Sequence, residues 1–272
     1  MSILVVGHYS HDTLLTPAGE RRVLGGSAAY ASAILEALEV PHEVVAKVGP
    51  DFLYAAQVSR GPIVIPTART TSFIDDYRSG ERVGRVEAAC QPILPSDLIG
   101  QHEVGMACAI AGELPLATLQ RLHQISRIVV ADAQAVMREI GPRGELRLRP
   151  PEATALEHIH YLKASGAEAQ LLDLSALRRR LTLLVTHGAR GATLLSPGEE
   201  VHIPAFPAEE IDPTGAGDCF LAGFAVGIAR GLDPSQAARI GAWCGARAVE
   251  QVGVPRLTPA QAIAAIDVAR RA

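Results

Sequence analysis

The sequence predicts an α/β protein with a doubly wound, mostly parallel sheet flanked by helices and a small β lid inserted early in the chain. Short β-branched runs alternate with segments of helical spacing along most of the 272 residues, and this alternation is typical of a parallel sheet. Residues 63–90 instead alternate polar and apolar side chains between Thr-rich and Gly-containing turns. That pattern is typical of antiparallel hairpins with one face in water, so it indicates a separate small sheet.

The elements are expected in the order strand, helix, strand from the first residues onward. "ILVVG" (3–7) predicts a buried strand, the small apolar run 25–38 a helix, and "HEVVAKVG" (42–49) the next strand. Further strands are expected at 104–112, 127–134, 159–165 and 181–195, and further helices at 115–125, 168–180, 217–230, 234–250 and 259–271. We expect residues 1–272 to form a single domain, with lid segments at approximately 8–24 and 63–92 that form a small β sheet over the active site.

Composition and charge exclude several classes of protein. The net charge is −4, no block of like charge occurs and aromatic residues make up 4%, so we expect neither a nucleic-acid nor a membrane surface. No apolar run approaches about 18 residues, and the first residues lack the basic region of a signal peptide. The four cysteines form no C-x-x-C pair, which disfavours a zinc site or a disulfide framework and fits a reducing, cytoplasmic location.

The stretch "EEIDPTGAGDCFLAGF" (209–224) carries the strongest chemical signal. A helix is expected to begin near Gly215 to Gly217, where small residues leave the first backbone N–H groups uncovered and the helix dipole adds partial positive charge. An anion can bind at such a helix start, and Asp218 in the first turn can accept a proton from a hydroxyl held beside it. A plain Gly-rich N-cap with an acidic first turn would have the same pattern.

Other glycine-rich or metal-binding signatures do not fit. The dinucleotide fingerprint needs Gly where Phe220 stands, a P-loop needs a Gly-Lys pair that the sequence lacks, and the protein-kinase motifs are absent. The turn after the first strand, "GHYSHD", has a single Gly, which argues against a Rossmann oxidoreductase. Two groups of polar residues lack further ligands at the spacing of metal sites: His8 and His11 with Asp12, and His158 with His160. Cys219 is expected to be a packing residue.

Four motifs resemble those of the ribokinase-like PfkB carbohydrate kinases. "DPTGAGD" (212–218) resembles the C-terminal signature D-T-x-G-A-G-D of that family, with Pro213 as a departure. Gly25-Gly26 matches the N-terminal glycine pair, "KASGAE" (163–168) resembles N-x-x-E with Ser165 in place of Asn, and "VTHGARG" (185–191) resembles T-x-G-x-x-G. These motifs span nearly the whole chain. The segments "VVGHYSHD", "GGSAAY", "VAKVGPDF", "PILPSDL", "ADAQAVMR" and "LKAS" are most similar to the plant-type myo-inositol kinase branch.

The resemblance implies an acceptor site and a catalytic centre. Asp218 would be the general base, and the backbone amides of Gly215, Ala216 and Gly217 would bind the developing charge. The acceptor would be bound by residues near the first strands and the middle of the chain: Asp12, Gly25, Gly26, Asp132 and Gln134. For Asp12 the alternative is a turn residue, and for the glycine pair it is helix-entry geometry. Arg138 either pairs with phosphate or lies solvated on the surface.

The resemblance also implies a site for the phosphate donor. Ser165, Glu168, Thr186, Gly188 and Gly191, together with Gly215 and Gly217, would bind the nucleotide, and Glu168 would bind Mg²⁺ through water. Ser165 and Glu168 also have the spacing of a helix capping box, and both interpretations are compatible. Asp212 and Thr214 would lie at a monovalent cation such as K⁺, or they form only a capping turn. Taken alone, "THGARG" predicts no more than a strand, a turn and a strand.

The expected activity is transfer of the γ-phosphoryl group of ATP to a hydroxyl of a cyclitol, with myo-inositol as the first candidate. The alternatives are kinase activity on another small sugar, nucleoside or aminocyclitol, or a non-catalytic relative that binds polyol or nucleotide. ATP, Mg²⁺ and a monovalent cation such as K⁺ are the expected cofactors. The expected partners are the small polyol and ATP, with no nucleic acid and no membrane. The chain would be a monomer or a homodimer that pairs through its lid.

Overall fold

The computed structural model describes residues 2–17, 19–78 and 83–270. Within these residues the strands are β1 (Ile3–Val6), β2 (Ser10–Thr16), β3 (Gly19–Gly25), β4 (His42–Val45), β5 (Lys47–Val48), β6 (Ile63–Val64), β7 (Ser72–Asp76), β8 (Val83–Ala88), β9 (His102–Ala107), β10 (Ser126–Asp132), β11 (Arg138–Ile140), β12 (Leu146–Leu148), β13 (Tyr161–Ser165), β14 (Thr182–Thr186), β15 (Ala192–Ser196) and β16 (Glu199–Ile203). The α-helices are α1 (Ser27–Ala37), α2 (Leu116–Ile125), α3 (Gln134–Met137), α4 (Ala153–Leu156), α5 (Gly166–Ala169), α6 (Leu174–Leu177), α7 (Ala216–Ala229), α8 (Pro234–Ala248) and α9 (Pro259–Asp267). Single 3₁₀ turns occur at Pro95–Asp97, Gly188–Arg190 and Val268–Arg270.

The main sheet is mostly parallel and doubly wound, as the sequence predicts. Its eight described strands lie in the order β16-β15-β14-β13-β10-β9-β1-β4, and among them β15 alone runs opposite to the others, next to the edge strand β16. From β1 the chain first adds β4 on one side and then builds β9, β10, β13 and β14 on the other. The order therefore reverses next to β1, and open α/β sheets bind their ligands at the carboxyl ends of the strands at such a reversal.

Two apolar layers cover the two faces of this sheet. Along β1, Ile3 and Val5 contribute to the layer formed with α1, α7 and α8, whereas Leu4 and Val6 contribute to the layer formed with α2 and the short helices α4 to α6. This alternation follows from the two-residue period of a strand. Each fully buried large side chain stabilises the fold by about 1.5–3 kcal/mol through the area it removes from water. Burial of both faces therefore fixes the position of β1, and it also fixes the residues at the carboxyl end of this strand.

A second sheet of four described strands stands apart from the main one. Its order is β3-β2-β7-β8, and the β2–β3 and β7–β8 pairs are antiparallel hairpins. The two hairpins are joined by parallel pairing of β2 with β7, in which Asp12 lies opposite Phe73. Because β2 begins only four residues after β1 ends, this sheet continues directly from the carboxyl end of the central strand.

The structure corrects several expected elements. The helix expected at 168–180 is two single turns, α5 and α6, because Ser165 caps the first and Asp173 caps the second. Residues 63–90 are not antiparallel hairpins throughout, since β6 pairs in parallel with β5 and only β7 with β8 forms a hairpin. The strand expected at 42–49 is divided between β4 and β5. The hairpin of β11 and β12 was not predicted.

A buried carboxylate joins the loops that follow β1 and β9. Glu113 is 2% exposed, and its side chain accepts hydrogen bonds from the backbone N–H groups of His8, Ile110 and Ala111 at 2.7–3.1 Å. These amides have no other partner among the described hydrogen bonds, and a buried unpaired N–H is costly. Glu113 therefore holds two loops together at the carboxyl edge of the sheet.

Replacing Glu113 by Ala leaves these amides unpaired, so we expect the free energy of unfolding to fall by about 3 kcal/mol. Glu139→Ala is the matched control, because this carboxylate is half-exposed and its ion pair among the described residues is a long one, 3.8 Å to Arg149. The control should change stability by less than about 0.5 kcal/mol. Denaturant unfolding followed by circular dichroism measures both. Equal stability of the two variants would show that Glu113 does not hold the loops.

Candidate active site

Polar side chains converge where the central strands end and α7 begins. Asp132 is the last residue of β10, Lys163 is the middle residue of the five-residue β13, and Asp218 lies in the first turn of α7. Because β9, β10 and β13 are parallel neighbours, their carboxyl ends meet at one edge, beside the reversal next to β1. The structure thus brings together residues that are 31 to 86 positions apart in the chain.

The first turn of α7 has the geometry of an anion-binding site. Gly215 is its N-cap with φ 76° and makes no side-chain cap, and a side chain there would also overlap the ring of Tyr30. The N–H groups of Gly217 and Asp218 are used by none of the hydrogen bonds found among the described residues, whereas that of Ala216 bonds to Pro213. Free amides and the dipole of a 14-residue helix favour a negative group here.

Asp218 lies at this helix start among other charged groups. The amide Nε2 of Gln134 donates to its Oδ1 at 3.3 Å. Burial and the neighbouring charge of Asp132 raise the pKa of Asp218 to about 7, while Lys163 and Arg138 oppose that rise. A carboxylate with a pKa near neutrality is matched to accepting a proton from a hydroxyl at physiological pH.

Lys163 is a residue of this site that the sequence interpretation missed. Its ammonium donates to Asp132 Oδ2 at 2.6 Å, and it lies 2.6 Å from the position that a Cβ on Gly217 would occupy. Burial works against its charge, but Asp132, Glu168 and Asp218 outweigh burial and raise the pKa of Lys163. Lys163 therefore stays charged beside the free amides of α7. A lysine inside the otherwise apolar strand "YLKAS" was the signal that could have revealed it.

The residues that the resemblance implies for acceptor binding include Asp12, Gly25 and Gly26, which lie on the small sheet and at the start of α1. Ser10 Oγ donates to Asp12 Oδ1 at 2.6 Å, and the carboxylate packs so closely on Gly25 that a side chain at this glycine would overlap it. The charge of Asp12 contributes to the raised pKa of Asp218, so the two carboxylates face one region. Gly26 is the N-cap of α1 with φ 89°, which supports the helix-entry alternative for the glycine pair.

Tyr30 is a second residue that the sequence interpretation missed. It is 2% exposed, and its hydroxyl has no hydrogen-bond partner among the described residues. Burial, followed by the charges of Asp12 and Asp212, raises the pKa of Tyr30 far above its usual value. The phenol is therefore neutral, and its hydroxyl can donate a hydrogen bond that no described residue accepts.

The expected donor residues line the neighbouring strand ends. Ser165 and Thr186 are register partners on β13 and β14, and the Gly188–Arg190 turn follows with Gly191 at φ 90°. The capping-box interpretation of Ser165 and Glu168 is correct, since Glu168 N–H donates to Ser165 Oγ at 3.3 Å and Ser165 N–H donates to Glu168 Oε2 at 2.7 Å. One carboxylate oxygen of Glu168 remains. A single carboxylate supplemented by water and phosphate oxygens suits Mg²⁺, so the residues present fit this ion.

Asp212 and Thr214 lie in a turn just before α7, whose N-cap Gly215 receives no side-chain cap. Asp212 Oδ1 accepts from the N–H of Thr214 at 2.9 Å, and Oδ2 accepts from the N–H of Gly253 at 3.3 Å. The hydroxyl of Thr214 is buried without a hydrogen-bond partner among the described residues. A monovalent cation or a water bound beside this turn would give that hydroxyl a partner.

The histidines of both pairs have contacts with other side chains or backbone groups of the fold. His158 and His160 pack against His123 with ring centroids 5.3 Å apart, before the amino end of β13. The side chain of His8 is fully buried and bonds to Thr71 Oγ1 at 3.1 Å. No group of three or more His, Cys, Asp or Glu residues that could hold a metal ion occurs in the described part of the chain. Among those residues, no helix is both long and apolar enough to cross a membrane.

Comparison with known proteins agrees with this architecture. A model of the pfkB family carbohydrate kinases matches residues 150–261. The inositol 3-kinase of Zea mays is 40% identical over 94% of this chain and 74% of its own length, and that of Oryza sativa subsp. japonica is 42% identical over 94% and 70%. A solved pyrophosphate-dependent kinase of the ribokinase family, in complex with a pyrophosphate analog and myo-inositol, superimposes with a TM-score of 0.79 at 22% identity, covering 96% of this chain and 99% of that one.

These similarities define the class first: the chain is a phosphotransferase with an alcohol acceptor, built on the ribokinase-like fold. It belongs to the pfkB family of carbohydrate kinases. The fold class and the family that the sequence predicted are thereby confirmed.

The raised pKa of Asp218 predicts how stability depends on pH. Its pKa is about 7 in the folded chain against 3.8 for an ordinary Asp, so between about pH 4 and 7 the folded state holds a proton that the unfolded state has released. Stability is therefore lost as the pH rises through this window. We expect Asp218→Asn to avoid this loss, and its advantage over the wild type to grow by at least about 1 kcal/mol between pH 5 and pH 8.

Asp233→Asn is the control for this measurement. Partial burial works against its charge, but hydrogen bonds from Ser235 and Gln236 outweigh it and keep the pKa of Asp233 below its usual value. Its stability difference from the wild type should not grow in the same direction. Unfolding by denaturant at several pH values gives the result. A constant difference for the Asp218 variant would show that its carboxyl ionises normally in the folded chain.

Proposed function

We propose that this protein transfers the γ-phosphoryl group of ATP to a hydroxyl of myo-inositol, with the 3-hydroxyl as the site of transfer. The observation that carries the proposal is the carboxylate of Asp218, with its pKa near 7, beside the free amides that begin α7. A base and an anion-binding site next to each other are what transfer to an alcohol needs. The similarity to the maize and rice inositol 3-kinases supports an inositol and its 3-position, and the solved pyrophosphate-dependent kinase was in complex with myo-inositol.

In the proposed reaction the acceptor hydroxyl lies between Asp12 and Asp218. Asp218 accepts the proton as the hydroxyl oxygen forms its bond to the γ-phosphorus, and the bond from that phosphorus to the bridging oxygen breaks to release ADP. The charge that develops on the phosphoryl oxygens faces the N–H groups of Gly217 and Asp218 and the ammonium of Lys163. Because these donors are fixed by the fold before the reaction, they need not reorganise during it.

The residues of the donor edge bind and orient the rest of the nucleotide. Ser165 and Thr186 lie side by side at the ends of β13 and β14, and the turn at Gly188 extends the same edge. Mg²⁺, bound through donor phosphates and by water to Glu168, would neutralise part of the phosphate charge. Thr214, with its unpartnered hydroxyl, would lie at a monovalent cation. These assignments follow the family resemblance of the four motifs.

The first experiment offers the purified protein two donors, Mg-ATP and Mg-pyrophosphate, and a panel of acceptors. The panel contains myo-inositol, other inositols, ribose, fructose and adenosine. We expect turnover of myo-inositol with ATP, detected as ADP release and as an inositol monophosphate. Asp218→Asn should lower kcat by about 10²–10⁴-fold, because it removes the base while it keeps the size of the side chain.

The other results of this experiment would each change the proposal. Turnover only with pyrophosphate would show that pyrophosphate is the donor, and it would leave the proposed role of Asp218 as base unchanged. Turnover of another acceptor would replace the substrate. Full activity of Asp218→Asn would remove this residue from the reaction, and nucleotide or inositol binding without any turnover would favour a non-catalytic relative.

The pH dependence of the reaction tests the base directly. Asp218 accepts a proton only when ionised, and its pKa is about 7, so kcat/KM for the acceptor should fall as the pH drops below about 7, by about tenfold per unit. The rate of Asp218→Asn at saturating donor should not show this fall at low pH. Initial rates from pH 5.5 to 9 measure both. A wild-type profile that is flat across neutrality would contradict the assignment.

A further inference from the structure

A short hairpin runs from the active centre to the lid, which is the small sheet of β3, β2, β7 and β8. It consists of β11 and β12, joined by the turn 141–145, with Arg138 opposite Leu148. The hairpin begins six residues after Asp132 and directly follows α3. It is not one of the strands of the main sheet, and it forms a two-stranded sheet of its own.

The tip of this hairpin extends the lid sheet at β8. The N–H of Val86 donates to the carbonyl oxygen of Gly144 at 2.7 Å, and Arg85 forms an antiparallel bridge with Glu145. The other side of β8 pairs with β7, so β8 is an edge strand of the lid that the hairpin tip covers in part. Edge strands have unpaired backbone groups that readily accept such a partner.

An apolar cluster reinforces the contact. It contains residues of the lid, the loop after β9 and the hairpin: Phe73, Val86, Ile110, Ala111 and Leu146. Gly144 has φ +82°, and a Cβ on it would overlap the carbonyl oxygen of Val86. The close approach of the tip to β8 therefore depends on glycine at this position.

The base of the hairpin lies at the catalytic centre. The guanidinium of Arg138 is close enough to oppose the rise in the pKa of Asp218, and its Nη1 donates to the carbonyl oxygen of Ile110 at 3.5 Å. The lid strand β2 carries Asp12, which faces the same centre. One element thus contacts both the catalytic centre and the sheet that carries the acceptor-binding Asp12.

We propose that the β11–β12 hairpin is the positioning element of the lid: its contact at Val86 holds the small sheet so that Asp12 faces Asp218. This inference rests on the proposed function for the identity of the acceptor, but the contact itself does not. When the tip is released, the fraction of molecules with Asp12 in place falls, and the apparent affinity for the acceptor falls by the same factor. Donor binding, which uses the edge formed by β13 and β14, is left unchanged.

Gly144→Ala tests the contact, and Gly198→Ala is its matched control. Gly198 also has a positive φ, +75°, in the turn between β15 and β16, but it has open space around it and no contact with the lid. We expect Gly144→Ala to raise KM for the acceptor roughly tenfold, with kcat and the KM of the donor changed less than about twofold. Hydrogen exchange of the Val86 amide should become faster in this variant only.

A second pair of variants guards against a general loss of folding. Leu146→Ala removes an apolar contact of the cluster, whereas Leu148→Ala changes a more exposed side chain of the same strand. Only the first should raise the acceptor KM and speed exchange at Val86. Far-UV circular dichroism shows whether each variant remains folded.

Three results would overturn the inference. Unchanged exchange at Val86 in Gly144→Ala would show that the tip does not hold the lid. Faster exchange with an unchanged acceptor KM would show that the contact does not position Asp12. Equal effects in Gly198→Ala would assign the change to strain in a turn. The kinetic measurement uses whichever acceptor the wild type phosphorylates, so a failure of myo-inositol overturns the proposed function and leaves this test intact.

Discussion

The site depends on one buried cation. The ammonium of Lys163 lies 2.6 Å from Asp132 and within electrostatic reach of Glu168 and Asp218, and it is nearly removed from water. Its charge faces Asp132, Glu168 and Asp218 and opposes the burial that raises the pKa of Asp218 to about 7. The same cation lies beside the free amides of α7, so one residue influences both Asp218 and the helix start at which an anion can bind.

This arrangement lowers the stability of the folded chain at the site of the proposed reaction. A carboxylate whose pKa is raised by burial destabilises the folded chain at neutral pH, and the free amides of Gly217 and Asp218 add to that cost. The rigid layers on both faces of the main sheet offset it, because the strands that carry Asp132 and Lys163 are packed on both sides. A preorganised site requires such support, since its polar groups gain their partners only when substrate binds.

The edge proposed to bind the donor and the edge proposed to bind the acceptor differ in how they are connected to the core. The edge proposed to bind the donor belongs to adjacent strands of the main sheet, where Ser165 and Thr186 are register partners. The edge proposed to bind the acceptor includes Asp12, which lies on the small sheet and is connected to the core through β1 and through the tip of the β11–β12 hairpin. A site of this construction can change its acceptor half without disturbing the donor half.

The sequence by itself determined the α/β class, the early small sheet, the helix start at Gly215 and the family, because each depends on local spacing or on a contiguous motif. It also indicated that Asp12, Asp132 and Asp218 belong to the site. It did not indicate Lys163 or Tyr30 as parts of that site, or Glu113 as its support, because each has its role through partners far along the chain. Residues 168–180 divide into two short helices because Ser165 and Asp173 each cap the start of a helix. The spacing of apolar residues does not show which of these caps the chain uses. Only the tertiary structure decided the raised pKa of Asp218 and the contact of Gly144 with Val86, because burial and charge in a crevice depend on which strand ends lie side by side.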